Sequence, residues 1–209
     1  MKHKLGNILM ILGSVLILSA LALFLCNQRE ASRAEQAVSD LMPQLHTAIE
    51  AAVPESLPAP EAPAATAPTA ETEPVSTEMP VVEIDGYDYI GYISFPSLEL
   101  ELPVMADWDY TRLKIAPCRY AGSTVSDDLV IMAHNYTRHF GRLRRLTEGD
   151  SVIFTDAEGQ SIAYQVVALD ILNPTAIEEM TSGSCDLTLF TCTYGGKSRV
   201  TVYCNRAEE

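Results

Sequence analysis

Basic residues are scarce in this sequence. Against 28 Asp and Glu there are 14 Lys and Arg, a formal net charge of −14 over 209 residues. Lys2 and Lys4 precede an apolar run, so the remainder carries −16, from 12 basic and 28 acidic side chains. A nucleic-acid binder needs a basic patch, and this balance argues against one. An acidic surface serves solubility. The five cysteines, Cys26, Cys118, Cys185, Cys192 and Cys204, include no C-x-x-C pair. That removes the spacing of common zinc and dithiol-redox sites. No internal repeat is visible.

Charge is absent altogether from Leu5–Cys26, a run of 22 mostly apolar residues. About 20 such residues cross a bilayer as a helix. Lys2 and Lys4 just before it place the N-terminus in the cytoplasm and the rest outside. A cleaved signal peptide has a shorter apolar core and small residues at the cut. Leu23-Phe24-Leu25-Cys26 is bulky, and Leu25 is too large for lipoprotein processing at Cys26. The run therefore reads as an uncleaved anchor.

The chain divides into a cytoplasmic tail (1–4), a transmembrane anchor (5–26), a polar juxtamembrane helix (27–50) with Pro43 interrupting it, a linker (51–80) and a globular domain (81–209). The linker has seven Pro and five Glu but no Lys, Arg or Asp. It cannot bury a core and reads as a disordered spacer that holds the domain off the membrane. Outside the membrane, four cysteines are enough for two disulfides, and spacing leaves the pairing among Cys118, Cys185 and Cys204 open.

Within 81–209 nearly every signal is a strand. Tyr89–Phe95 and Leu98–Val104 alternate, Asp128–His134 is a buried run, and Asp150–Asp156 and Ser161–Leu172 flank a hairpin-type turn. Leu187–Cys192 and Arg199–Cys204 alternate on either side of Tyr194-Gly195-Gly196-Lys197. Short helices are expected at Asp109–Ile115 and Phe140–Leu146. Seven or eight short strands suggest a closed barrel or a sandwich.

Three reactive side chains fall at strand ends: His134, Cys192 and Arg199. A thiolate attacks a carbonyl. An imidazole protonates the departing amine. A guanidinium, always charged, holds a developing oxyanion. Each also has a plainer reading, as a buried small hydrophobe, a hydrogen-bonded structural histidine and a solvated strand residue.

Thr188-Leu189-Phe190-Thr191-Cys192 resembles the T-L-x-T-C signature of the sortases, the membrane-anchored transpeptidases of Gram-positive bacteria. Arg199 seven residues on, and Ala133-His134-Asn135 at an earlier strand end, fit the same pattern in the same order. The resemblance extends over most of Val81–Arg206. It implies an all-β fold, a closed eight-stranded sortase-type β-barrel with one or two short helices, behind the anchor and the spacer. It implies His134, Cys192 and Arg199 as the catalytic set. The substrates it implies are secreted proteins with an LPxTG-like C-terminal sorting motif. The amine would come from peptidoglycan precursor or a pilin.

Only Asn173–Cys185 precedes the cysteine strand, short of the long helical insertion of a class B-like sortase, so the class stays open. Some sortases bind calcium through loop carboxylates. Asp127, Asp128, Glu178 and Glu179 lie in comparable loops, but acidic loops are normally just solvated, and no metal or cofactor is expected. Strand parity puts Phe190 on the face of Cys192, lining the substrate groove, with Thr191 beside the nucleophile as a second substrate-binding candidate. Leu187, Leu189, Val200, Val202 and Cys204 point into the core by the same parity. Two rival readings remain. One is another extracellular cysteine enzyme acting on cell wall, although an L,D-transpeptidase would show Ser-x-Gly-Cys around its thiol. The other is a non-catalytic membrane-tethered barrel that binds peptides.

Overall fold

An uncharged apolar run can satisfy its backbone in hydrocarbon only as a helix. It forms the first half of α1 (Lys2–Ala52), a helix long and apolar enough by length and composition to cross a membrane. The computed structural model describes residues 2–52 and 79–207. The linker expected at 51–80 thus lies almost wholly outside the described residues.

The anchor and the juxtamembrane segment are one continuous helix, and Pro43 does not interrupt it. Pro43 is on the exposed side, where the Ser39 carbonyl that loses its donor is open to water. Nor does the second half of α1 stand apart from the globular domain. Ala34, Val38, Leu41, Leu45 and Ile49 recur at spacings of three and four and are buried. Leu41, Leu45 and Ile49 pack with Ile84, Tyr89, Met105, Leu113 and Cys118. Arg138 Nε donates to Glu35 at 2.7 Å, and His46 Nε2 lies 2.6 Å from Glu101. Half of α1 is therefore a strut fixed along the barrel wall.

Nine strands occur among the described residues: β1 (Val82–Ile84), β2 (Tyr87–Phe95), β3 (Leu100–Met105), β4 (Cys118–Ala121), β5 (Leu129–Ala133), β6 (Ser151–Asp156), β7 (Ser161–Leu172), β8 (Leu187–Cys192) and β9 (Arg199–Arg206). Their order is β1-β2-β3-β4-β5-β8-β9-β7-β6, and β6 returns to pair with β2. The last eight in that order thus form a closed barrel, with β1 as a flap on the edge of β2. Closure depends on Gly91 (φ +139), where any Cβ would lie 1.9 Å from the Thr155 carbonyl oxygen. No side chain fits there, so the two backbones meet directly.

The interior is filled from all sides by Ile93, Phe95, Leu102, Ile131, Phe154, Leu189 and Val202, each fully buried. Leu187, Val200 and Cys204 join this cluster, as parity predicts. The two expected helices are 3-10 turns, at Arg112–Lys114 and Phe140–Arg145. A five-residue helix, α2 (Ile177–Thr181), occupies the interval before β8. All five cysteines are free thiols. Burial pushes the Cys118 and Cys204 thiols up to about 12, so both are inert core groups.

Candidate active site

β8 pairs with two partners that decide where its last residue points. On one side it runs parallel to β5, with Ala133 opposite Thr191. The next residues on each strand are His134 and Cys192, so both leave the sheet at the same end and on the same face. On the other side β8 is antiparallel to β9, with Cys192 and Arg199 as register partners. The three residues read as chemistry in the sequence thus occupy adjacent positions on three neighbouring strands.

The register is locked by the connection between β8 and β9. Thr193 N–H donates to the Ser198 carbonyl at 2.9 Å, and Ser198 N–H donates to Thr193 Oγ1 at 3.1 Å. Gly195 (φ +79) and Gly196 (φ +72) turn the chain in the left-handed region. On the β5 side, Thr191 Oγ1 donates to the Ala133 carbonyl at 2.8 Å and is itself buried. Thr191 therefore ties the cysteine strand to the histidine strand. Its hydroxyl is spent on the backbone.

The segment after His134 folds back on itself. Phe140 N–H donates to the His134 carbonyl at 3.2 Å, and Gly141 N–H to the Tyr136 carbonyl at 3.0 Å. Phe140 is fully buried and meets Phe95 edge-on at 5.9 Å. Gly141 lets the 3-10 turn approach: a Cβ there would be 2.4 Å from the Asn135 carbonyl oxygen. Three rings lie against one another, tilted, along this loop. His134 and Tyr136 are 5.0 Å apart between centroids, and Tyr136 and His139 are 5.4 Å apart. Burial and then Lys114 lower the His134 pKa, against a weaker pull from Glu30 on α1, so the imidazole is neutral at rest. His139 is more extreme. It is fully buried, neither ring nitrogen has a hydrogen-bond partner, and burial takes its pKa down to about 4, with His134 adding to the shift. A weak opposing influence of the Ile115 backbone does not amount to a hydrogen bond.

Cys192 is half-buried and lines a pocket of about 300 Å³ with Asn135, Thr137, Phe140, Thr191, Tyr194, Val200, Arg142, Arg144 and Arg145. The three arginines come from Phe140–Leu146, expected from the sequence only as a short helix. Their signal was the R-x-R-R spacing itself, in an otherwise acidic chain. A larger cleft of about 710 Å³ runs between α1 and β3 and contains no thiol. Phe190 lies on the outer face with Cys192, apart from the barrel interior. It is not an open wall, however. Its ring is 4% exposed, clustered with Val130 and Met180, and meets Tyr120 edge-on at 5.3 Å. The carboxylates considered for calcium have other partners or positions. Asp127 pairs with Arg206 at 2.6 Å, and Asp128 accepts from Ser123 N–H and from Ser126 Oγ within its own loop. Glu178 and Glu179 sit in the first turn of α2. No group of three or more metal-ligating side chains occurs among the described residues.

A closed barrel carrying a cysteine, a histidine and an arginine on adjacent strand ends, behind an apolar helix, defines a narrow class of proteins. A family model described as Sortase domain matches residues 93–207, more than half of the chain. The chain belongs to the sortase family. Sortase A from Corynebacterium diphtheriae is similar in fold, with a TM-score of 0.54 at 24% identity over 59% of this chain and 62% of that one. This chain thus spans less than two thirds of that protein. Sortase C1 from Streptococcus suis has a TM-score of 0.50 at 28% identity over 58% and 74% of the two chains. Sortase C1 from Streptococcus agalactiae has 0.53 at 25% identity over 61% and 72%. No curated protein matches the sequence.

Proposed function

We propose that this protein is a membrane-anchored cysteine transpeptidase whose catalytic residues are His134, Cys192 and Arg199. The observation that carries this reading is the register of three strands, with Cys192 opposite Arg199 and one step beyond the Ala133–Thr191 pair that leads to His134. Its substrate is the C-terminal sorting motif, LPxTG-like, of a secreted protein. Neutral His134 takes the Cys192 proton, and the thiolate sulfur attacks the scissile carbonyl. The C–S bond forms as the carbonyl π pair moves onto oxygen; the tetrahedral intermediate then collapses, the C–N bond breaks, and the proton passes from His134 to the departing amine. Arg199 stabilises the oxyanion of the tetrahedral intermediate. An amine of peptidoglycan precursor or pilin then attacks the thioester and releases Cys192. Lys2 and Lys4 orient the anchor with the barrel outside the cell.

The test is a panel of sorting-motif peptides and small amines incubated with the full chain in detergent micelles and read by mass spectrometry. Ligated peptide–amine products support the transpeptidase. Peptide binding with no bond broken for any member of the panel would favour a tethered binding barrel.

A further inference from the structure

The chain has twice as many acidic as basic side chains, 28 against 14, yet from Leu129 to Thr147 it has no Asp or Glu and four arginines. Arg138 is neutralised by Glu35 at 2.7 Å. Arg142, Arg144 and Arg145 are not. Among the described residues none of them has a carboxylate within 4.0 Å. All three line the pocket of about 300 Å³ that contains Cys192. Arg142 Nε is buried with no hydrogen-bond partner. Three arginines lining one pocket with a thiol, none of them paired with a carboxylate, make a receptor for an oxygen-rich anion.

This pocket approaches Cys192 from a different side than the apolar surface does. Phe190, Tyr120 and Met180 cover the outer face of β8. The basic pocket lies over Thr191 and Val200 at the barrel end. Phe190 and Met180 are buried, so the outer face is a packed wall and the open approach beside the thiol is the basic one. A cationic pocket suits a negatively charged amine acceptor better than the apolar residues of a sorting motif. The anchor points the same way. The loop leading to these arginines is tied to α1 at Glu35, nine residues beyond Cys26, a rise of about 14 Å past the span. The pocket is thereby held close to the headgroup layer.

We propose that Arg142, Arg144 and Arg145 bind an anionic group, phosphate or carboxylate, on the amine acceptor and so deliver its nitrogen to the thioester. This rests on the transpeptidase reading. In the step concerned the acceptor nitrogen attacks the thioester carbonyl, the C–N bond forms, the C–S bond breaks with its electron pair returning to sulfur, and the surplus amine proton goes to His134.

The experiment uses the full chain in phosphatidylcholine nanodiscs and has two arms. In the first, alkylation of Cys192 by iodoacetate and by iodoacetamide is followed by peptide mapping. The anionic reagent should be favoured roughly tenfold more than at a free cysteine, as a steering field of this kind allows. Inorganic pyrophosphate should suppress that preference, and the Arg144→Gln/Arg145→Gln double variant should lose most of it. In the second arm the preloaded thioester is offered 2-aminoethyl phosphate, β-alanine and ethanolamine. One or both anionic amines should react faster than ethanolamine, and which one leads tells phosphate from carboxylate.

An alkylation ratio equal to that of free cysteine, unmoved in the double variant, overturns the anion site. A normal anion preference at the thiol with equal use of all three amines overturns the acceptor assignment. An anion preference present in phosphatidylcholine but abolished in phosphatidylglycerol bilayers, with equal use of all three amines, gives the arginines to lipid headgroups instead. If no thioester forms with any peptide, the transpeptidase reading fails and the acceptor role with it, while the alkylation ratio still decides whether the pocket binds anions.

Discussion

Cys192 and Arg199 are register partners across β8 and β9, and the Arg199 guanidinium is engaged by the turn that connects the two strands. Its Nη1 donates at 3.3 Å to the carbonyls of Gly196 and Ser198 in the connecting turn. The backbone thus puts the cation opposite the nucleophile, and the side chain rests on the turn. Long, weak hydrogen bonds of this kind are easily exchanged for a charged acceptor.

Arg199→Lys therefore separates two roles. Lysine keeps the charge and loses the planar fork. If Arg199 holds the oxyanion through directed hydrogen bonds, acyl transfer should fall on the order of 10²-fold in the lysine variant. The alanine variant should fall at least as far. Single-turnover kinetics with a sorting-motif peptide read this directly. Wild-type rates in both variants would remove Arg199 from the mechanism.

His139 should make the fold acid-sensitive. Its folded pKa is about 4, against an ordinary value of 6.5. Between those values the unfolded chain binds the proton and the native one does not, so stability is full above pH 6.5 and falls as pH drops toward 4. The shift corresponds to roughly 3 kcal/mol. His139→Leu should flatten this part of the curve in denaturant melts at stepped pH. A His139→Leu curve as steep as wild type would place the acid sensitivity elsewhere.

The docked half of α1 should behave as part of the core. Leu45 is fully buried against the barrel, and Leu45→Ala should cost about 2–5 kcal/mol. Leu23→Ala, in the exposed apolar half, should leave the unfolding midpoint in micelles nearly unchanged. Equal effects of the two changes would contradict the strut.

Phe190→Ala should affect both folding and peptide use. With the ring 4% exposed beneath Tyr120 and Met180, its loss should cost about 3–5 kcal/mol. A fold loss confined to the hundredths of a kcal/mol, with peptide use gone, would mean that the outer cluster opens and the ring is a free groove wall.

What the sequence shows best is alternation. β2, β7, β8 and β9 were legible because one face of each is wet or differently packed, and Cys192 and Arg199 followed from their positions in those strands. β4 was not. Cys118-Arg-Tyr-Ala is four residues long and touches β3 at the single pair Met105–Cys118, so no period develops. The docking stripe of α1 was present as Ala34, Val38, Leu41, Leu45 and Ile49, but Pro43 and the polar composition masked it. A proline on the solvent side of a helix removes one hydrogen bond without displacing the buried face. The arginine pocket was invisible for another reason. Arg142, Arg144 and Arg145 meet Cys192 only through the β5–β8 pairing, a contact made across about 50 residues of chain that no local pattern records.

A transpeptidase of this kind must form a covalent thioester between Cys192 and a sorting-motif peptide. Intact-protein mass spectrometry of the acid-quenched full chain, taken within the first turnover and without added amine, tests it most directly. One added acyl fragment is expected, mapped to the peptide containing Cys192, absent from Cys192→Ala and discharged by a nucleophilic amine. A Cys192→Ala protein that still joins peptide to amine, or an adduct on another cysteine, would contradict the thioester at Cys192.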